Sequence, residues 1–265
     1  MMTIQLFIFV IGLMIGSFLN VCIYRLPQGG SVVSPPSCCG SCGRRLSPLD
    51  LIPVLSYLML SGRCRYCGAA ISARYAAVEL LTAVLFVWCL LANGLGFGLV
   101  RALVLTAFLL VVAFIDYDHQ LILDKVLLWM AAAGMLINLL SGSAILTMLP
   151  FTEQSLQVAG YPGVLDMIIA ALAGGGIMLL IAIVSAGGMG GGDIKFTAVL
   201  GLWFGWKLTM MVLMVSFMIG GATGALLLIL RFKKRKDFIP FGPFIAIAAF
   251  LVLLYGRSLL GFLLI

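Results

Sequence analysis

Nine acidic residues occur in the 265-residue chain, and some stand where an acid is costly. Asp193 follows Gly190, Gly191 and Gly192 and precedes Ile194-Lys195, between two apolar stretches. Asp116 closes another apolar stretch and opens Asp116-Tyr117-Asp118-His119-Gln120. An ionisable side chain at membrane depth is a functional hypothesis in itself. Two carboxylates and a water can cut a peptide bond without a Ser or Cys nucleophile. One takes a proton from the water; the other donates one to the carbonyl oxygen or the leaving amine. Two like charges at short range do not both ionise easily, so such a pair divides its roles. The glycines would let a substrate backbone lie close to Asp193, and Lys195 stands beside it. Asp116, Asp118, Asp124 and Asp193 are the candidates. The plainer readings are a solvated Asp118, an N-cap at Asp124, and a cap at Asp193 neutralised by Lys195. A transporter or scaffold binding a cation or proton at Asp116 and Asp193 is the non-enzymatic alternative. His119, the only histidine, cannot build a His-rich metal site and reads as an interfacial residue.

A second constellation is built of cysteine. Of seven cysteines, Cys22 and Cys89 lie in apolar runs and read as packing residues. Cys39-x2-Cys42 and Cys64-x2-Cys67 share one polar loop. Paired Cys-x2-Cys turns at this interval predict a four-thiolate zinc site, closed and therefore structural, against the alternative of unliganded thiols. Gly40, Gly43 and Gly68 would relieve the turns. Cys38 is a spare neighbour, or exchanges with Cys39.

The elements that must hold these residues follow from composition. The chain is 63% hydrophobic and only 9% charged. Its long continuous apolar runs predict an all-α polytopic membrane protein of about eight transmembrane helices, not a β-barrel of short alternating strands. Spans are expected near 3–24, 76–92, 98–115, 123–140, 164–184, 196–206, 208–230 and 239–256, the sixth being short. Residues 1–24 lack a basic n-region and a small-residue cleavage site, so they read as a retained first helix. Residues 25–75 form a polar domain too small for a large core, which a metal would stabilise. Residues 76–265 form the membrane domain that carries the aspartates. Glu79 is expected at the edge of the second span, beside Arg74. With the N-terminus outside, all of the 16 cations except Arg101, Lys207 and Arg257 fall on the inner side. The cysteine loop and the aspartates are then cytoplasmic. The net charge of +7 is accounted for by this asymmetry and does not point to nucleic acid. Gly12, Gly16, Gly174, Gly176, Gly220 and Gly224 offer close-contact faces between helices.

The chain resembles the type IV prepilin peptidases, also called prepilin leader peptidase/N-methyltransferases, over nearly its whole length. The resemblance is carried by Gly16-Ser17-Phe18-Leu19-Asn20-Val21, Tyr24-Arg25-Leu26-Pro27 and the double Cys-x2-Cys loop. It extends through Pro53-Val54-Leu55-Ser56-Tyr57, Ile71-Ser72-Ala73-Arg74-Tyr75 to Glu79, and Ile115-Asp116 through Asp124. Gly188-Met189-Gly190-Gly191-Gly192-Asp193-Ile194-Lys195 and Pro240-Phe241-Gly242-Pro243-Phe244 complete it. Two positions depart: Leu123 and Gly40 stand where the family commonly has Pro. The resemblance implies an eight-helix aspartic endopeptidase of the bacterial inner membrane. Its catalytic aspartates would be Asp116 and Asp193, and its zinc ligands Cys39, Cys42, Cys64 and Cys67. It would cut the basic leader of prepilins or type II secretion pseudopilins after a glycine. It would then methylate the new N-terminal residue from S-adenosylmethionine. No glycine-rich strand–helix motif marks where that donor binds.

Overall fold

The computed structural model describes residues 2–141, 162–185, 188–232 and 239–263. Glu153, Gly187, Lys233, Lys234, Arg235, Lys236 and Asp237 lie outside the described residues. Regular structure among the described residues is helical, with two isolated bridges, Cys38 to Arg45 and Arg63 to Ala70. The helices are α1 (Met2–Arg25), α2 (Leu55–Met59), α3 (Ala73–Asn93), α4 (Phe97–His119), α5 (Asp124–Leu140), α6 (Val164–Val184), α7 (Gly191–Ile229) and α8 (Gly242–Leu263). Five of them, α1, α3, α4, α6 and α7, are long and apolar enough to cross a membrane. The chain divides into two compact units, Met1–Leu99 and Val100–Ile265. The expected boundaries at 24 and 75 follow polarity; compactness divides the chain elsewhere.

In the first unit α1 packs on α3 through its glycines. A Cβ at Gly12 would stand 2.5 Å from the Ala83 Cα, and one at Gly16 2.7 Å from the Glu79 Cα. The four-residue interval puts both glycines on one helix face, and their missing side chains allow backbone contact. Asn20 strengthens the pair by donating to the Tyr75 carbonyl at 3.0 Å. Ser72 caps α3 by accepting from the Arg74 N–H.

In the second unit α7 consists of two helical segments that meet at a non-helical Gly205 (φ 71°, ψ 179°), close to the expected junction of the sixth and seventh spans. A break frees carbonyls before it and N–H groups after it, and buried polar backbone must find partners. Asn138 donates to the Leu202 carbonyl at 2.8 Å, and buried Arg101 donates to that of Trp203. Beyond the break, Asp166 accepts the Trp206 N–H at 3.0 Å, and the Thr209 hydroxyl donates to the Gly205 carbonyl at 2.6 Å. Arg101, expected only as a cation on the outer side, and Asp166 hold this break. Elsewhere Gly174 meets Thr209 and Thr197 side chains, Gly175 meets Ala198, and Gly220 meets Phe241. Nothing lies within 4 Å of a Cβ at Gly176 or Gly224, so these two expected contact points give way to Gly175 and Gly201.

Candidate active site and metal centre

Asp116 lies one turn from the C-terminal end of α4 and is buried. Its Oδ2 accepts the N–H of Gly242, the first residue of α8, at 2.9 Å. Glycine is required there: a Cβ at 242 would stand 2.6 Å from the same oxygen. Asp193 is also buried, in the first turn of α7. Gly190 is the N-cap, and its carbonyl accepts the Asp193 N–H at 3.1 Å. A carboxylate in a first helical turn meets the positive end of the helix dipole. The two carboxylates, on α4 and α7, lie within electrostatic reach of each other.

The other candidates fall outside this pair. Asp118 and His119 are exposed. Asp124 is the first residue of α5, with Leu123 as the N-cap, so the expected capping role is corrected. Its carboxylate takes the Lys195 ammonium through both oxygens, at 2.8 and 2.9 Å. Lys195 is therefore paired with Asp124, not with Asp193. The glycines before Asp193 differ from one another. A Cβ at Gly192 would meet Ile122 at 2.8 Å, one at Gly191 would meet nothing within 4 Å, and one at Gly190 would touch Asp193 Oδ2 at 3.4 Å. Gly192 lets the start of α7 pack against Ile122 in the α4–α5 connection, whereas Gly191 borders open space. Gly242 was legible only as the start of a span; the hydrogen bond to Asp116 joins residues with no sequence pattern between them.

In the first unit the two cysteine turns are near copies. The Cys39 N–H donates to Arg44 and its carbonyl accepts from Gly43, at 2.9 Å each. The Cys64 N–H donates to Ala69 at 2.8 Å and its carbonyl accepts from Gly68 at 2.9 Å. Gly43 and Gly68 have φ of 69° and 72°, which glycine adopts without penalty; Gly40 is not in that region. The ligand atoms of Cys39, Cys42, Cys64 and Cys67 lie within 4.8 Å of one another, and the Cys39 and Cys67 sulfurs are 3.8 Å apart. Tetrahedral Zn–S bonds of about 2.3 Å imply sulfurs about 3.8 Å apart, so the donor set fits zinc. Cys38 is exposed and outside the cluster. The N–H groups of Cys42 and Ser41 pull the Cys39 thiol down to about 6. At Cys67 the Ala69 N–H acts in the same sense, but desolvation and the neighbouring sulfurs outweigh it and push that thiol up to about 11. Four sulfurs this close do not all ionise without a cation between them.

Asp50 anchors the same loop. The Arg65 guanidinium at 2.6 Å and the Ser47 hydroxyl at 2.7 Å hold its carboxyl down at about 2. Glu79 does not lie out beside Arg74. It is buried and accepts the Val54 N–H at 2.8 Å.

Two family models cover these units. The bacterial peptidase A24 N-terminal domain matches residues 10–93, and the type IV leader peptidase family matches residues 103–225. The chain is 37% identical to the prepilin leader peptidase/N-methyltransferase of Aeromonas hydrophila, over 95% of this chain and 91% of the relative. The chain belongs to the type IV leader peptidase family. It is 33% identical to the protein of the same description from Bacillus subtilis, over 96% of each. The relative so described from Pseudomonas aeruginosa is also 33% identical, over 94% of this chain and 89% of its own length. No solved structure matches. The chain is thus an enzyme of this membrane-helical family, and its leader-peptidase match spans both Asp116 and Asp193.

Proposed function

We propose that this enzyme is an aspartic endopeptidase that removes the basic leader of prepilins or pseudopilins after a glycine, and that it methylates the N-terminus so formed. The observation that carries the reading is the juxtaposition of two buried carboxylates, Asp116 and Asp193, from separate helices. Catalysis needs one of them ionised, to take a proton from the attacking water, and the other protonated, to donate toward the carbonyl oxygen and then the amine. Gly242 fixes one Asp116 oxygen through its N–H, and the other is not engaged by that bond. The open space beside Gly191 suits an extended peptide passing Asp193. Gly190 keeps a side chain away from Asp193 Oδ2, and Lys195 is held by Asp124.

The four thiolates would hold zinc as a cross-link of residues 25–75, where it would supply folding stability and no reaction step. S-adenosylmethionine would supply an electrophilic methyl group to the amine. The charge asymmetry supports a multi-pass protein of the bacterial inner membrane, with about eight crossings, the N-terminus outside, and cysteines and aspartates cytoplasmic. A substrate leader rich in cations would wait on that side.

The test uses the full chain in detergent micelles with a peptide comprising a basic leader, Gly and an apolar helix. Wild type should release the leader, and Asp116→Ala and Asp193→Ala should not. Cleavage that survives both substitutions would refute the aspartate assignment. Adding labelled methyl donor to the same reaction reads the second activity.

A further inference from the structure

The first unit contains a cavity of about 450 Å³ between the polar loop and the adjoining ends of α1 and α3. Small-ligand pockets run from about 300 to 1,000 Å³. Glu79 stands in its wall and is only 8% exposed. Its partners are neutral, the Val54 N–H and the Ser17 hydroxyl. A buried anion with neutral partners is costly unless a cation completes it. Asp50, the other acid in the wall, already has Arg65. Tyr57 and Tyr75 bring aromatic rings to the same space. The zinc-site residues Cys39 and Cys64 close another side, which ties the cavity's shape to the metal loop. Val54, whose N–H Glu79 holds, sits at φ 61°. That region is strained for a β-branched residue, and such strain collects at functional sites.

We propose that this cavity binds the methyl donor S-adenosylmethionine, with Glu79 as the counter-charge to its sulfonium and the tyrosine rings against the adenosine. The assignment rests on the methyltransferase reading above and deepens it. Aromatic faces suit both a flat base and a cation. In the transfer, the amine first loses a proton to solvent. Its nitrogen then bonds to the methyl carbon as the carbon–sulfur bond breaks, and the electron pair stays on sulfur as a neutral thioether. The sulfonium charge thus disappears from beside Glu79, and the anion favours the donor over the spent product.

Equilibrium dialysis of the zinc-loaded full chain against S-adenosylmethionine and against S-adenosylhomocysteine tests this without turnover. Glu79→Gln should weaken the charged donor about tenfold or more while changing the uncharged product less than about threefold. Ala76→Phe, which fills the cavity from α3, should weaken both. Equal loss of both ligands in Glu79→Gln, or no loss, overturns the counter-charge. Unchanged affinities in Ala76→Phe overturn the cavity, and this variant still decides if Glu79→Gln does not fold. Wild type that binds the donor and methylates peptide while either of these results is found loses this inference alone. Wild type that neither binds the donor nor methylates loses the methyltransferase reading itself.

Discussion

In the first unit, four thiols are gathered by two short turns, each closed by its own backbone hydrogen bonds and a glycine at positive φ. In the second, two carboxylates are gathered by helices that belong to distant parts of the chain, α4 and α7, with α8 supplying a hydrogen bond to one of them. The thiols sit in a loop that cannot bury much apolar surface, so a metal cross-link has the larger share of stability to supply. The carboxylates need no ligand to be placed, because packed helices already place them. Chemistry that depends on a local template should therefore fail on loss of the metal, and chemistry that depends on packing should fail on small steric changes.

The largest separation is expected at the acids themselves. Asp116→Asn or Asp193→Asn should lower leader cleavage by about 10³-fold or more, since each removes an acid–base partner. Zinc content should stay the same, and methylation of a peptide already bearing its mature N-terminus should stay within about twofold. A parallel fall in methylation would show that the two units do not act separately. The converse experiment removes the metal. Cys64→Ser, or dialysis against a strong chelator, should abolish bound zinc and cut methylation at least about tenfold, because loss of a ligand should cost no less than loss of an outer-shell partner, about 10- to 100-fold. Cleavage should survive within about threefold. Its collapse would mean that the cysteine loop supports the aspartates.

Gly242 offers a subtler break of the packing side. Alanine there would bring a Cβ to 2.6 Å from Asp116 Oδ2, so either α8 or the carboxylate must move. A displacement of about 1 Å at a reacting group can cost about 10²-fold. Gly242→Ala should thus lower cleavage about 10- to 100-fold with zinc and methylation intact. Gly191→Ala, with nothing within 4 Å of the new Cβ, is the matched control for protein packing. A loss confined to KM in that control would place substrate against Gly191.

These contrasts also explain what the sequence could tell. The cysteine site was legible because its geometry repeats within six residues, and both Gly43 and Gly68 follow the second cysteine of a pair. The helices were legible because apolar runs have a length set by the bilayer. Asp116 and Asp193 stood out as acids at the ends of such runs, but their pairing is a tertiary fact. So are the partners of the break at Gly205: the junction of two spans was expected there, but not that Arg101, Asn138 and Asp166 would bond to it. Nothing in a linear pattern announces which carbonyl a buried arginine will reach. Glu79 shows the same limit: its neighbour in sequence is Arg74 within the first turns of α3, yet its partner is the backbone of Val54 across the loop.

The smallest effect should come from the pair nearest the aspartates in sequence. Lys195 and Asp124 form a two-oxygen ion pair whose side chains remain 59% and 72% exposed. Exposed pairs contribute about 0–1 kcal/mol, and salt screens them over about 10 Å at 0.1 M. Their geometry joins the first turn of α7 to that of α5, so they can steady the helix that carries Asp193 without touching the reaction. Lys195→Met and Asp124→Asn should each lower cleavage no more than about threefold, the double variant should cost no more than either single one, and the difference should shrink in high salt. A fall with Lys195→Met as deep as that of Asp193→Asn, and indifferent to salt, would mean that the ammonium acts on the reacting groups. The ion pair with Asp124 would then be only the resting position of that side chain.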